Sequence, residues 1–124
     1  MNIDVECLMN WLEMTESEVL AIAEPIMDNL MQASTDIDYE RHVRDFSDNM
    51  KRIVTEENFE QQCKSYQKVL GYFADRELMG VVRKATDARL YWKQWYTISG
   101  NEYLAFLHLM VQDGDIKVVN VSVS

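Results

Sequence analysis

The chain is short of the residues that punctuate or staple a protein. Its 124 residues include one proline, four glycines and two cysteines. So little proline and glycine leaves no flexible or polyproline linker, which fits one domain rather than a string of them. Two cysteines, Cys7 and Cys63, cannot form a disulfide framework, and both sit among apolar neighbours as buried free thiols do. No CxxC and no His/Cys cluster is present, so no metal is expected. No apolar run reaches 18 residues, so no membrane-spanning helix is expected. The stretch MNIDVECLMNWLEM has no basic start and is interrupted by Asp4, Glu6 and Glu13, unlike a signal peptide; cytoplasmic residence is the expectation. Glycine-rich phosphate loops, GxSxG and HExxH are all missing, and no cofactor is expected.

Positive charge is scarce in the first half. Residues 1–62 carry 15 acids against 4 bases, a net −11, whereas residues 63–124 carry +2. An acidic front half repels phosphate backbones and anionic lipid, which argues against nucleic acid and membrane partners.

What is present is a change of grammar along the chain. Residues 3–13 suit a short helix with Ile3, Cys7, Leu8, Trp11 and Leu12 on one side. Thr15 and Glu18 have the spacing of a capping box. The apolar positions Val19, Ile22, Ala23, Ile26, Met27, Leu30 and Met31 then recur at helical spacing, with Pro25 expected to bend a helix that ends near Ala33 or Ser34. Asp38 suits the cap of a short helix turning Tyr39, Val43 and Phe46 inward, and Ser47-Asp48-Asn49 reads as a break. Thr55 suits the cap of another helix, with Phe59, Cys63, Tyr66 and Val69 or Leu70 inside and Gly71 as its stop.

Beyond Gly71 the runs Glu77–Lys84, Ala88–Ile98, Glu102–Gln112 and Asp115–Val123 favour strands, separated by turns at Thr86-Asp87, near Gly100 and at Asp113-Gly114. Short turns between consecutive strands predict an antiparallel four-strand meander, and helices followed by a sheet predict an α+β fold. A two-residue Asp113-Gly114 turn pairs Gln112 with Asp115, Met110 with Lys117 and Phe106 with Val121. Even-length turns elsewhere set Trp95 across from Phe106 and Val82 across from Tyr91.

Alternation then sorts two faces. The inner one carries Met79, Val81, Leu90, Trp92, Gln94, Tyr96, Tyr103, Leu107, Leu109, Val118 and Asn120. The outer one carries Leu78, Val82, Tyr91, Trp95, Leu104, Phe106, His108, Val119 and Val121, a patch large enough that a monomer would rarely leave it bare. A homodimer formed through that face is the expectation. Trp92, Gln94, Tyr96, Tyr103 and Asn120 are the ligand-binding candidates, and a small apolar ligand would suit them. No Asp, Glu or His falls on the central inner positions, so no catalytic residue is assigned. Asp38, Asp45 and His42 are the nearest acid or base donors, with His42 reading as a surface residue between Arg41 and Arg44.

The segments AEPIMDNLMQASTDIDYERHVRDFSDNM, TEENFEQQCKSYQKVLG and VQDGDIKVVNVSV resemble the nuclear transport factor 2-like superfamily, over about residues 16–123. The carriers are the Asp38-Tyr39 step, the Thr55–Gly71 helix and the closing Asp113–Val121 strand; residues 1–14 lie outside the likeness. The resemblance implies a cone, in which a curved sheet wraps around helices, often with a pocket at its mouth and with pairing through the outer face. It is compatible with a non-catalytic small-molecule-binding or protein-interaction domain, or alternatively with an isomerase, dehydratase or cyclase acting in the cone. Fold alone does not choose between them.

Overall fold

Thr15 starts the first helix by a reciprocal cap: its hydroxyl accepts from the Glu18 amide while the Glu18 carboxylate accepts from the Thr15 amide. The structure, a computed structural model, describes residues 9–124. Helix α1 spans Glu16–Asp36 and runs on through Pro25. It ends two to three residues later than expected, at Ile37 in the left-handed region (φ 52°). Asp38 caps α2 (Tyr39–His42), and Thr55 caps α4 (Glu56–Leu70). Between them Ser47 does not break a helix. Its hydroxyl caps α3 (Asp48–Ile53), accepting from the Met50 amide. Of the expected helix over residues 3–13, only a 3-10 turn at Trp11–Glu13 falls within the described residues, and Trp11 enters the core while Leu12 is exposed.

Four strands follow: β1 (Phe73–Arg83), β2 (Asp87–Tyr96), β3 (Tyr103–Gln112) and β4 (Asp115–Val123). They form one antiparallel sheet in sequential order. The fold is therefore α+β, helices first and a four-strand meander last. Gln112 faces Asp115 and Met110 faces Lys117, as the Asp113-Gly114 turn requires. Trp95 does not reach Phe106: Tyr91 does, because the turn near Gly100 is longer, but the shift is even and the faces survive it.

Three bulges break the expected register. One lies in β1 between Phe73 and Arg76, a second between Leu78 and Gly80, and a third in β4 opposite His108 and Leu109. Each inserts a residue, bends the strand, and swaps the faces beyond it. The β1 bulges place Leu78 across from Trp92 and Arg76 across from Gln94, reversing the assignment of Leu78 and leaving Met79 exposed. The first strand also begins at Phe73, four residues before Glu77. The β4 bulge pairs His108 with Asn120 and Leu107 with Val121, so Asn120 belongs to the outer face and Val121 to the inner one, the reverse of expectation. Its place follows from a contact across the fold. The Val118 amide donates to the Asp45 carbonyl and the Ser47 amide to the Val118 carbonyl, which pins the edge of β4 to the α2–α3 connection.

The core lies between α1 and the inner sheet face. Trp11, Val19, Ala23, Met27 and Leu30 pack with Leu90, Trp92, Leu107, Leu109 and Val118. One polar cluster borders it: Arg76 pairs with Glu24 and Asp28 of α1 and stacks on Trp92, whose indole N–H donates to Glu24 (2.9 Å). None of the described helices is long and apolar enough to cross a membrane.

Candidate functional site: a cavity at the open end of the sheet

The ends of α4 and β2 are tied together, and that tie builds the cavity mouth. Gly71 stops α4 with φ 89° and presses against Thr97 and the Ile98 amide, where a Cβ would collide. The Leu70 carbonyl accepts from the Ile98 and Ser99 amides (3.0 and 3.1 Å). Phe73 then faces Tyr96 across the sheet, their rings 4.9 Å apart. The C-terminal end of α1 is held to α4 by Gln67, whose amide donates to the Ser34 and Thr35 carbonyls.

These ties enclose a cavity of about 260 Å³ between the ends of α1, α2 and α4 and the termini of the strands. Aromatic rings dominate its wall. Tyr96 meets Tyr103 edge-on at 4.9 Å, and Tyr66 lies 5.2 Å from Phe73. On the helical side His42 lies against Phe59 at 4.4 Å and edge-on to Phe46 at 5.3 Å. The polar side chains are neutral. The Ser34 hydroxyl bridges Tyr66 Oη (2.7 Å) and Cys63 Sγ (3.4 Å), and Tyr103 Oη meets Ser99 Oγ (2.9 Å). No hydrogen bond reaches Tyr96 Oη from the described residues; the neighbouring Tyr66 and Tyr103 phenols act on its proton affinity through charge alone.

Burial sets the charge state of this wall. It lowers His42 to about 4, against a weaker opposing effect of the Leu30 carbonyl, and leaves Nδ1 buried with no partner. Burial also raises the Cys63 thiol and the Tyr66 phenol, although hydrogen bonding with the Ser34 hydroxyl opposes it at each. Tyr96 is pushed up to about 12 by burial and then by the neighbouring Tyr66 and Tyr103 phenols. At neutral pH all four groups are uncharged, and no Asp, Glu, Lys or Arg side chain lines the cavity.

Of the five ligand-binding candidates, Tyr96 and Tyr103 line this cavity. Trp92 is sealed in the core and Gln94 is fully buried away from the cavity wall. The Gln94 amide N–H groups face the Ala74, Asp75 and Trp95 carbonyls, so the residue supports the β1 bulge. Asn120 is exposed on the other face. His42, expected at the surface, is instead a wall of the cavity, because α2 is a single turn that rotates it toward α4. Ser34, Tyr66 and Val123 also line it. For Tyr66 the sequence signal is the Phe59, Cys63, Tyr66 stripe of α4, which equally suits ordinary core; Ser34 and Val123 have none.

On the outer face Tyr91 and Phe106 stack at 5.0 Å, Leu104 is exposed, and Trp95, His108 and Val119 are half-buried. At one end of that face Asp87 accepts from Thr86, Arg89 and His108 (2.9, 3.0 and 2.7 Å). Burial raises its carboxyl, but those three donors outweigh burial and hold it below its ordinary value. Among the described residues no three His, Cys, Asp or Glu side chains converge as metal ligands would.

No family model matches the chain, and no curated protein matches it by sequence. Among solved structures, the chain is similar to the Bd1075 protein of Bdellovibrio bacteriovorus, with a TM-score of 0.55 and 12% identity. The likeness covers 89% of this chain, which spans 42% of that protein's length. A protein from Kribbella flavida DSM 17836 aligns with a TM-score of 0.43 and 17% identity, over 81% of this chain and 83% of that one. The first likeness establishes a shared fold alone; the second is too weak to carry an argument.

Proposed function

We propose that this chain is a nuclear transport factor 2-like domain that binds a small molecule, without catalysis, in the cavity between α4 and the strand ends. The observation that carries the reading is a 260 Å³ space walled by aromatic rings and neutral hydroxyls at the open end of an otherwise filled core. Concave, mostly apolar pockets with a few polar groups are where small ligands bind.

The rival reading, an isomerase, dehydratase or cyclase, needs an acid or base poised near working pH. His42 is the nearest group, and with its affinity lowered to about 4 and no carboxylate paired with Nδ1 it is a weak base. Asp38 caps α2 and pairs with Arg41, Asp45 pairs with Arg44, and neither lines the cavity.

Calorimetric titration with indole tests the pocket. Saturable binding by the native chain, abolished by Val123→Trp, which fills the cavity, supports the reading; equal binding by both chains contradicts it.

The outer face is proposed as the dimer contact, through Tyr91, Trp95, Leu104, Phe106, His108 and Val119. Its chemistry suits a second copy. The sheet segment, residues 73–124, carries six acids and six bases, net zero, so two such faces meet without the repulsion that the −9 helical segment would bring. Trp95→Asp should elute as a folded monomer where the native chain elutes as a dimer. A native chain that is already monomeric, or a variant still dimeric with unchanged circular dichroism, rules the interface out.

A further inference from the structure

The cavity also carries information about what it can hold. Resting on the pocket reading above, we propose that its ligand is an uncharged, planar aromatic molecule bearing one hydrogen-bond acceptor, oriented by the Tyr96 hydroxyl.

Three features of the wall lead there. The first is charge. The chain carries −9 overall, yet no ionised side chain lines this space, and the ion pairs of Arg76 and Asp87 lie elsewhere. A carboxylate or ammonium entering it would lose its hydration with no oppositely charged side chain to replace it. The second is shape. Tyr96 and Tyr103 stand edge to face while Phe59 carries the His42 ring at 34°, so flat faces and ring edges are both on offer. A planar ring system can use both kinds of surface, which a branched aliphatic cannot.

The third is the pattern of hydrogen bonding. The Ser34, Tyr66 and Tyr103 hydroxyls are already paired with one another or with Ser99 and Gln67. Tyr96 alone among the wall phenols has no protein partner among the described residues. A phenol that keeps its proton at neutral pH is a donor, so the ligand atom that meets it is an acceptor such as a carbonyl or ether oxygen.

Three naphthalenes of similar size separate the claims. At pH 7, 2-acetonaphthone is neutral with an acceptor, 2-ethylnaphthalene is neutral without one, and 2-naphthoate is the anion. The native chain should bind the ketone at least about tenfold more tightly than the carboxylate. Tyr96→Phe should weaken the ketone about 3- to 10-fold, the range for one neutral hydrogen bond, and leave the hydrocarbon unchanged. A carboxylate that binds as well as the ketone overturns the neutral-ligand claim. An equal response of ketone and hydrocarbon to Tyr96→Phe overturns the orienting role. Failure of all three to bind contradicts the pocket reading itself.

Discussion

The inner face of the sheet has two ends built from different materials. At one, Leu90, Trp92, Leu107 and Leu109 are met by Trp11, Val19, Ala23 and Met27, and these side chains are at most 1% exposed. At the other, Phe73, Tyr96, Tyr103, Val121 and Val123 line a cavity with Phe59, Cys63 and Tyr66, whose ring closes one side by touching Phe73 and Tyr96. Aliphatic groups and small residues interdigitate to crystal-like density. Tyrosines cannot be packed in the same way, because each hydroxyl needs a polar partner and each ring favours offset or edge contact. The difference is one of packing: the filled end supplies stability, and the aromatic end leaves the space proposed above as a binding site.

Trp92→Ala attacks the filled end and should show the largest effect, a loss of about 3–5 kcal/mol in urea denaturation. A loss under about 1 kcal/mol would mean that this end is not the stabilising one. His42 sits at the boundary and gives the comparison a pH axis. Its proton affinity in the fold is lowered from 6.5 to about 4, so the neutral ring's contribution is complete above pH 6.5 and is lost as pH falls through about 4. Stability should drop on the order of 3 kcal/mol across that window. Asp87, also lowered, loses its contribution only below its ordinary 3.8, so the two are separable. His42→Phe should flatten the decline between pH 6.5 and 4; an unchanged decline would assign it to another group.

Gly71 holds the mouth together. Gly71→Ala combines positive φ with a collision against Thr97 and should cost about 2 kcal/mol, measured by the same denaturation. Tyr103→Phe, which removes one hydrogen bond to Ser99 at the aromatic end, should cost least, about 1 kcal/mol or below.

The parts of this fold that are legible in the sequence are those set by local chemistry. Thr15 with Glu18, Asp38 and Thr55 each cap a helix through their own side chains, and Asp113-Gly114 makes its turn with both residues at positive φ. The bulges are not local. The one in β4 adjoins Val118, which is bonded to Asp45 and Ser47 some 70 residues earlier, and the first one in β1 is supported by the Gln94 amide from the next strand. Nothing near Asn120 or Val121 in the chain announces that they will change places. Tyr96 and Tyr103 follow from alternation because no bulge lies between them and the centre of the sheet. His42 does not, because its direction depends on how a four-residue helix seats against Phe59.

The most direct test of the division between the two ends is the map of backbone amide shifts as indole is added to the native chain. The account predicts perturbations confined to the cavity wall, at Tyr66, Phe73, Tyr96, Tyr103 and Val121 through Ser124, with Leu90, Leu107, Tyr91 and Phe106 unmoved. Shifts centred on Tyr91, Trp95 and Phe106, or spread evenly over both ends, would contradict it.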